Sequence, residues 1–249
     1  MKEAFIAYFD LLGFKEFILN NDTDHIYRRM GHVMRDIELA LGQGHYQKPR
    51  NGVVLADLSN TRLNCINVSD TIIFWTNDTE FESLDELIQV ADKFNWSMNL
   101  YNFPLRGCVM KGFVGYEGNS NRNVTGALYS VSSLVGAAIV HAYIKTENQD
   151  WAGTVIDNRM YEEFSSIQEA ERYFSQHAVK YMVPYKLPPL EQQEEYVFMY
   201  AKKSKLDDVS YANTVKMITE VFAMDNKPID HPGTKRKLEN TILYLDMFR

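Results

Sequence analysis

The sequence has little cysteine, no long apolar run and no excess of positive charge. Its only two cysteines among 249 residues are Cys65 and Cys108, each within an apolar, strand-like stretch. Two such residues exclude a disulfide scaffold and a four-cysteine zinc site, and they fit a reducing compartment. No stretch approaches the roughly 20 consecutive apolar residues that span a bilayer, and the start, MKEAFIAYFD, is too short in apolar residues for a secretory signal. We therefore expect a soluble cytoplasmic protein with no membrane partner.

The net charge of −7 gives a second exclusion. A general nucleic-acid binder gains its affinity from a basic surface that neutralises many phosphates, so no nucleic-acid partner is expected. A single nucleoside triphosphate is a different case, because metal ions and a few local donors can neutralise it whatever the global charge. The composition, 45% hydrophobic and 24% charged, is ordinary for a globular domain of this length.

Two acidic residues occupy strand ends in the predicted structure. Residues 3–9 (EAFIAYF) predict a buried strand that ends at Asp10, and LLGFKEFI then begins a helical segment with Gly13 in the turn. Residues 61–76 predict two strands joined by a tight polar turn, NVSD, which places Asp70 at a hairpin tip.

The remaining pattern alternates helices and strands. A helix is predicted from Asp22 to Leu41, followed by an irregular loop at 42–59, a helix with a Ser83–Glu86 capping box, a strand at 105–116, a turn at GNSNRN, a helix at 131–146 and a strand at WAGTVID. This order predicts an α+β sandwich, a largely antiparallel sheet with helices packed on it. We expect a core at residues 1–157 and, at 158–249, a C-terminal elaboration of the same domain.

The placement of Asp10 and Asp70 suggests metal chemistry. A strand-end carboxylate before a helix-opening turn lies beside free backbone amides, which can cradle phosphate oxygens. Two carboxylates on neighbouring strands can share divalent ions in the arrangement used for in-line phosphoryl chemistry. Aspartate also favours turns for purely structural reasons, so position alone does not decide between the two readings.

Four segments, in order over roughly residues 4–157, carry a family resemblance. AYFDLLGFKEF and NVSDTIIFW resemble the two metal motifs of class III nucleotidyl cyclases. FPLRGCVMKG is similar to the strand that follows in that family, and VGAAIVHAYIKTENQDWAG occupies the place of its next helix. Within the family, the chain most resembles the bacterial pyrimidine cyclases of the Pycsar anti-phage system. The resemblance implies a class III adenylate/guanylate cyclase-like fold.

The resemblance also implies a role for individual residues. Asp10, Asp70 and the Leu11 carbonyl would hold a two-metal site of Mn²⁺ or Mg²⁺. The amides of Leu12, Gly13 and Phe14 would meet the β- and γ-phosphates. Arg106 would be a catalytic and substrate-binding cation near the phosphates or base, and Lys111 a second substrate-binding cation. Two alternatives stay open: Arg106 forms an ordinary ion pair, and Lys111 is a solvated strand residue.

The sequence departs from the purine-selective members at four positions. The lysine and aspartate that these members use for the base fall on Pro104 and near Ser133. The usual helix asparagine and arginine fall near Val140 and Ile144, both apolar. The departures remove the support for ATP or GTP, leave a smaller pyrimidine base open, and also fit an inactive cyclase fold.

Three functional hypotheses follow. The first is a metal-dependent cyclase that converts UTP (or CTP) to the 3′,5′-cyclic mononucleotide and pyrophosphate, as a second messenger in anti-phage defence. The resemblance then implies a homodimer with composite active sites and a downstream effector that binds the cyclic nucleotide. The second is a catalytically silent cyclase fold that dimerises or senses nucleotide. A palm-like polymerase or dinucleotide cyclase ranks last, because the chain lacks a GGDEF-like signature and a basic groove.

Overall fold

The computed structural model of the chain describes residues 1–49, 54–186, 193–201 and 205–249. Parts of the predicted loop at 42–59 and of the predicted C-terminal elaboration lie outside these described residues. No helix within them combines the length and apolarity that crossing a bilayer requires.

The described strands form one eight-stranded sheet around β1. The strands are β1 (Lys2–Leu11), β2 (Asn64–Val68), β3 (Thr71–Trp75), β4 (Leu105–Arg122), β5 (Leu128–Val135), β6 (Gly153–Ile156), β7 (Ala178–Val183) and β8 (Gln193–Phe198). Their order is β2-β3-β1-β4-β6-β8-β7, and β5 pairs with β4 alone. Only the β4–β6 pairing is parallel among the pairs of described strands. The sheet is therefore largely antiparallel, as predicted.

Helices cover both faces of this sheet. They are α1 (Phe14–Asn20), α2 (Thr23–Leu41), α3 (Phe81–Ser97), α4 (Ala137–Asn148), α5 (Ile167–Phe174), α6 (Asp208–Ala223) and α7 (Pro232–Leu245). One apolar core lies between the sheet and α2, α3 and α5, and a second lies between the sheet and α4, α6 and α7. Two covered faces explain why β1 is apolar without alternation: Phe5 and Phe9 enter the first core, whereas Ile6 and Tyr8 enter the second.

The region between residues 105 and 148 differs from its prediction. Strand β4 continues to Arg122, so the predicted turn at GNSNRN lies mostly in strand. Residues up to Val135 belong to β5, and helix α4 begins only at Ala137. The break falls at Gly136 (φ +147°), where a Cβ would lie 2.0 Å from the Phe113 carbonyl oxygen. Only glycine fits this close approach, and it ends the hairpin and starts the helix.

The predicted capping box of α3 is also wrong. The helix begins at Phe81, so Ser83 is already a buried residue of its first turn. The Glu86 carboxylate instead accepts hydrogen bonds from the Thr61 hydroxyl and the Arg62 amide. It ties the segment before β2 to α3. The helix predicted at Asp22–Leu41 is confirmed, with the Asp22 side chain accepting from the His25 amide as N-cap.

Candidate active site

Asp10 lies at the C-terminal end of β1, between two neighbouring strands. It is opposite Thr71 on β3 and opposite Arg106 on β4. This register brings the Arg106 guanidinium beside the carboxylate, with Nη2 2.8 Å and Nε 2.9 Å from Asp10 Oδ2. The sheet therefore places an acid and a cation at the same edge.

Asp70 occupies the two-residue turn between β2 and β3. The preceding Ser69 has φ +58°, and the Asn67 side-chain amide donates to the carbonyls of Ser69 (3.3 Å) and Thr71 (3.1 Å), which closes the turn. The Asp70 carbonyl accepts the Leu11 amide at 2.9 Å. The hairpin tip is thus held by backbone contact against the end of β1.

Both carboxylates line one cleft of about 370 Å³, within the range of small-ligand sites. The turn after β1, the end of α4 and the C-terminal segment form its other walls. The charged residues that line it are Asp10, Lys15, Glu16, Asp70, Arg106, Glu147, Lys186, Lys227 and Lys237. The structure therefore brings Asp10, Asp70 and Arg106 together, as the sequence suggests, and adds residues that it did not indicate.

The Asp10 carboxyl carries an unfavourable charge. Burial raises its pKa from 3.8 to about 6, although Arg106 opposes the shift, and the nearby carboxylates of Glu147 and Asp70 add to it. A buried carboxylate is stable as an anion only beside a cation. Arg106 therefore offsets only part of the cost of burying the Asp10 anion.

Arg106 has a second set of acceptors. Its guanidinium contacts the Glu147 carboxylate, and Nη1 donates to the carbonyls of Glu147 (2.9 Å) and Gln149 (3.3 Å). These partners can retain the guanidinium if Asp10 turns to another cation. Glu147 was not indicated by the sequence, because it reaches the cleft from the last turn of α4 through tertiary packing.

The donor set fits a divalent ion that shares its coordination with a ligand. Within the described residues, no three histidine, cysteine or acidic side chains cluster as a ready metal site. Asp10 and Asp70 supply two carboxylates, and Leu11 lies at the cleft between them. Magnesium commonly binds one or two carboxylates and completes its shell with water and substrate phosphates. The residues present therefore fit Mg²⁺ or Mn²⁺.

The structure fits only part of the prediction that the amides of the turn after β1 bind phosphate. The Leu12 amide donates to the Pro104 carbonyl at 2.7 Å, so it is not free to bind a phosphate in this conformation. Gly13 adopts φ +77° and passes the chain into α1 at Phe14. First-turn amides have no acceptor within their own helix, so the amides of Gly13 and Phe14 stay as candidates.

Lys111 lies outside the cleft. It faces Phe5 five residues along β4 from Arg106, about 17 Å away at the usual strand rise. Its ammonium pairs with Glu163 at 2.9 Å and with Glu3 at 3.8 Å. These partners explain the residue without a ligand, and we remove Lys111 from the candidate site of this subunit.

The positions that depart from purine cyclases are spread over the structure. Pro104 lines the cleft. Ser133 lies on β5 opposite Glu117, away from the cleft. Val140 and Ile144 are exposed on the outer face of α4. Within one subunit, only Pro104 therefore lies where a bound nucleotide could contact it.

The sheet and its two helical layers form a class III nucleotidyl cyclase-like fold, which confirms the predicted fold class. In particular, the chain is similar to the catalytic core of a rhodopsin-guanylyl cyclase with converted specificity in complex with ATPαS (9% identity, TM-score 0.51, 79% of this chain and 95% of that one).

Two further solved structures are similar over part of their length. One is a bacterial light-regulated adenylyl cyclase (8% identity, TM-score 0.46, 88% of this chain and 57% of that one). The other is a class III adenylyl cyclase-like ATP-binding protein from Pseudomonas aeruginosa (13% identity, TM-score 0.43, 68% and 36%). No family model and no curated protein matches the chain.

Proposed function

We propose that the chain is a metal-dependent pyrimidine nucleotide cyclase that converts UTP (or CTP) to the 3′,5′-cyclic mononucleotide and pyrophosphate. The observation that carries the proposal is the placement of Asp10 and Asp70 at one cleft, from a strand end and a hairpin tip, in a cyclase-like fold. The order of the sequence motifs supports the same reading.

The two carboxylates and the Leu11 carbonyl would hold Mn²⁺ or Mg²⁺. Such an ion would offset the charge of the triphosphate and help the ribose 3′-hydroxyl to ionise. Both Arg106 contacts fall on Asp10 Oδ2, so Oδ1 would be the oxygen offered to the ion, and Glu147 is a second acceptor that retains the guanidinium. Arg106 then remains at the cleft as a cation for the phosphates.

The cyclisation needs no co-reactant. The ribose 3′-oxygen forms a bond to the α-phosphorus, the bond from that phosphorus to the pyrophosphate oxygen breaks, and the hydroxyl proton passes to solvent. The amides of Gly13 and Phe14 would orient the β- and γ-phosphates. Because the transition state spreads charge over phosphate oxygens, positioning and electrostatics supply most of the catalysis.

The choice of a pyrimidine rests on the absence of the side chains with which purine cyclases contact the base. Pro104 offers no side-chain donor where purine cyclases carry a lysine, so the cleft lacks that contact with a purine. The preference for UTP over CTP, the role in anti-phage defence and the effector that binds the product come from the resemblance alone.

A homodimer is part of the proposal, and the β4–β5 hairpin supports it. The hairpin extends from the sheet and exposes large apolar side chains on both of its faces, Phe113, Tyr129 and Val131 on one and Tyr116 and Leu128 on the other. Exposed apolar patches of this kind mark interaction surfaces. A second copy of the chain would cover these side chains. Residues of that copy would complete the active site, to which Val140 and Ile144 supply no polar group.

We expect the purified protein with Mn²⁺ to form a cyclic mononucleotide from UTP faster than from CTP, ATP or GTP. Liquid chromatography with mass detection resolves the four products and pyrophosphate, and light scattering of the same preparation should give a dimer mass. A cyclic purine as the main product would contradict the pyrimidine assignment. No cyclic product from any of the four would contradict the enzyme.

The second candidate is a catalytically silent fold that binds nucleotide. Two observations favour it: Val140 and Ile144 are apolar and cannot stabilise a transition state, and the Asp10 carboxylate already pairs with Arg106. Binding of UTP by calorimetry, without any turnover, would support this candidate over the cyclase.

A further inference from the structure

The part of the chain after β7 contributes three lysines to the cleft. We propose that Lys186, Lys227 and Lys237, here called the cationic wall, form a binding site for a polyphosphate within the same subunit. The identity of that polyphosphate as the β- and γ-phosphates of a nucleotide rests on the proposed function; the anion site itself does not.

The loop before α7 is fixed by contacts of Asp225 with three residues of α2 and the segment before it. Asp225 and Asn226 adopt φ +64° and +56°, which non-glycine residues rarely do. The buried Asp225 carboxylate lies 3.0 Å from Arg29 Nε and 2.8 Å from His25 Nε2. The Asn21 side-chain amide also donates to the Asp225 carbonyl at 2.7 Å. These contacts fix the loop from which Lys227 extends.

Lys227 follows this loop and lies against the turn after β1. Its side chain is 3% exposed, and a Cβ on Gly13 would lie 2.9 Å from its Cδ. The ammonium lies 3.8 Å from the centre of the Phe103 ring and 3.9 Å from Asp225 Oδ2. It donates no hydrogen bond to any described residue, and burial lowers its pKa to about 8. An ammonium buried without an acceptor is costly unless a ligand supplies one.

Helix α7 presents its N-terminal turn to the same cleft. His231 is its N-cap, and His231, Thr234 and Lys237, three residues apart, all line the cleft. The amides of this turn are not free, because Pro232 has none, Gly233 donates to His231 Nδ1, and Thr234 and Lys235 donate to the His231 carbonyl. The turn therefore contributes the positive end of the helix dipole and the side chains that line the cleft. Lys227, whose ammonium contacts the Phe103 ring and lies 3.9 Å from Asp225 Oδ2, adds a further cation to the residues that line the cleft.

Lys186 and Lys237 face the cleft with Arg106. The pKa of Lys186 is lowered by burial and then by Arg106. The pKa of Lys237 is lowered by burial, which Asp150 opposes and to which Arg106 adds. Each ammonium also has an oxygen partner: Lys186 donates to the Glu147 carbonyl, and Lys237 lies 3.8 Å from Asp150 Oδ1. Because a lysine ammonium has three donors, a multivalent anion could accept from those that these partners leave open.

The cleft is thus divided by charge. Asp10 and Asp70 lie on the side of the sheet, where a divalent cation fits, and the cationic wall lies on the side of α7. A triphosphate could contact both sides at once. The wall comes from the same chain as the two aspartates, so this part of the site needs no second subunit.

The test uses inorganic tripolyphosphate in the presence of EDTA, measured by calorimetry on the full chain. Wild type should bind it, and Lys237→Ala should weaken binding about tenfold, as the loss of one charge-assisted phosphate contact predicts. Lys235→Ala is the matched control, because this residue of the same helix is 67% exposed and does not line the cleft. It should bind as wild type does.

Lys227→Met tests the buried ammonium while keeping the apolar stem, with circular dichroism to verify folding. Weaker binding by both variants, with Lys235→Ala unchanged, supports the wall even if no nucleotide is cyclised. Absence of binding by wild type, or equal loss in Lys235→Ala and Lys237→Ala, overturns it. An unchanged KM for UTP in Lys237→Ala would overturn the assignment of the polyphosphate to the phosphates of the nucleotide while leaving the proposed cyclase intact.

Discussion

Asp70→Asn is expected to lower turnover of UTP about 100-fold or more and to leave the fold unchanged. The substitution keeps the shape of the side chain but removes the negative charge that a divalent ion requires. The fold survives because Asp70 is held to β1 through its backbone carbonyl, which accepts the Leu11 amide. The measurement is kcat at saturating Mn²⁺, beside a urea unfolding curve.

Asp208→Asn is the matched control for this change. Asp208 is an aspartate that is 87% exposed in the first turn of α6, and its loss should leave kcat unchanged. Turnover by Asp70→Asn at the wild-type rate would remove Asp70 from the metal site. A lower rate that coincides with loss of the folded state would make the role of Asp70 structural.

Arg106→Leu is expected to destabilise the protein by about 3–5 kcal/mol at pH 7, which is the usual cost of leaving one member of a buried ion pair without its partner. Arg106 is 5% exposed and is the cation beside Asp10. Adding Asp10→Asn should recover a large part of the loss, because the unpaired carboxylate is then absent. Urea unfolding of the two single variants and the double variant measures this coupling.

The pH dependence gives this prediction a sign. The pKa of Asp10 is about 6 in the folded protein, whereas its ordinary value, which applies in the unfolded chain, is 3.8. Between these values the folded state keeps a proton that the unfolded chain has released, so the Asp10 contribution to stability falls as pH rises through this window. Without Arg106 the carboxyl holds its proton to still higher pH. The loss in Arg106→Leu should therefore be smaller at pH 5 than at pH 7.

Equal losses at the two pH values would contradict this account. So would a double variant whose loss is the sum of the two single losses, since that would mean that Asp10 and Arg106 do not interact.

The parts of the site that the sequence indicates are those set by local structure. Asp10 follows a buried strand and Asp70 occupies a tight hairpin turn, and both features are visible in short windows of sequence. Antiparallel pairing of β1 with β3 then brings the two aspartates to one edge of the sheet. Arg106 follows from the same pairing, because its place on β4 is opposite Asp10.

The other residues of the cleft depend on packing that no short window reveals. Glu147 arrives at the end of α4, and Lys227 and Lys237 arrive more than 200 residues after Asp10 in sequence. Their approach requires α6 and α7 to cover the second face of the sheet. Lys111 was misplaced for the opposite reason: its motif is local, but the strand carries it past the edge where the cleft lies.

The most direct measurement is a crystal structure of the protein with Mn²⁺ and a UTP analogue that cannot cyclise, with the ion located by anomalous scattering. The account predicts an anomalous peak within coordination distance of both Asp10 and Asp70, with the triphosphate beside it. A peak elsewhere, or a bound nucleotide with no ion between the two aspartates, would contradict it.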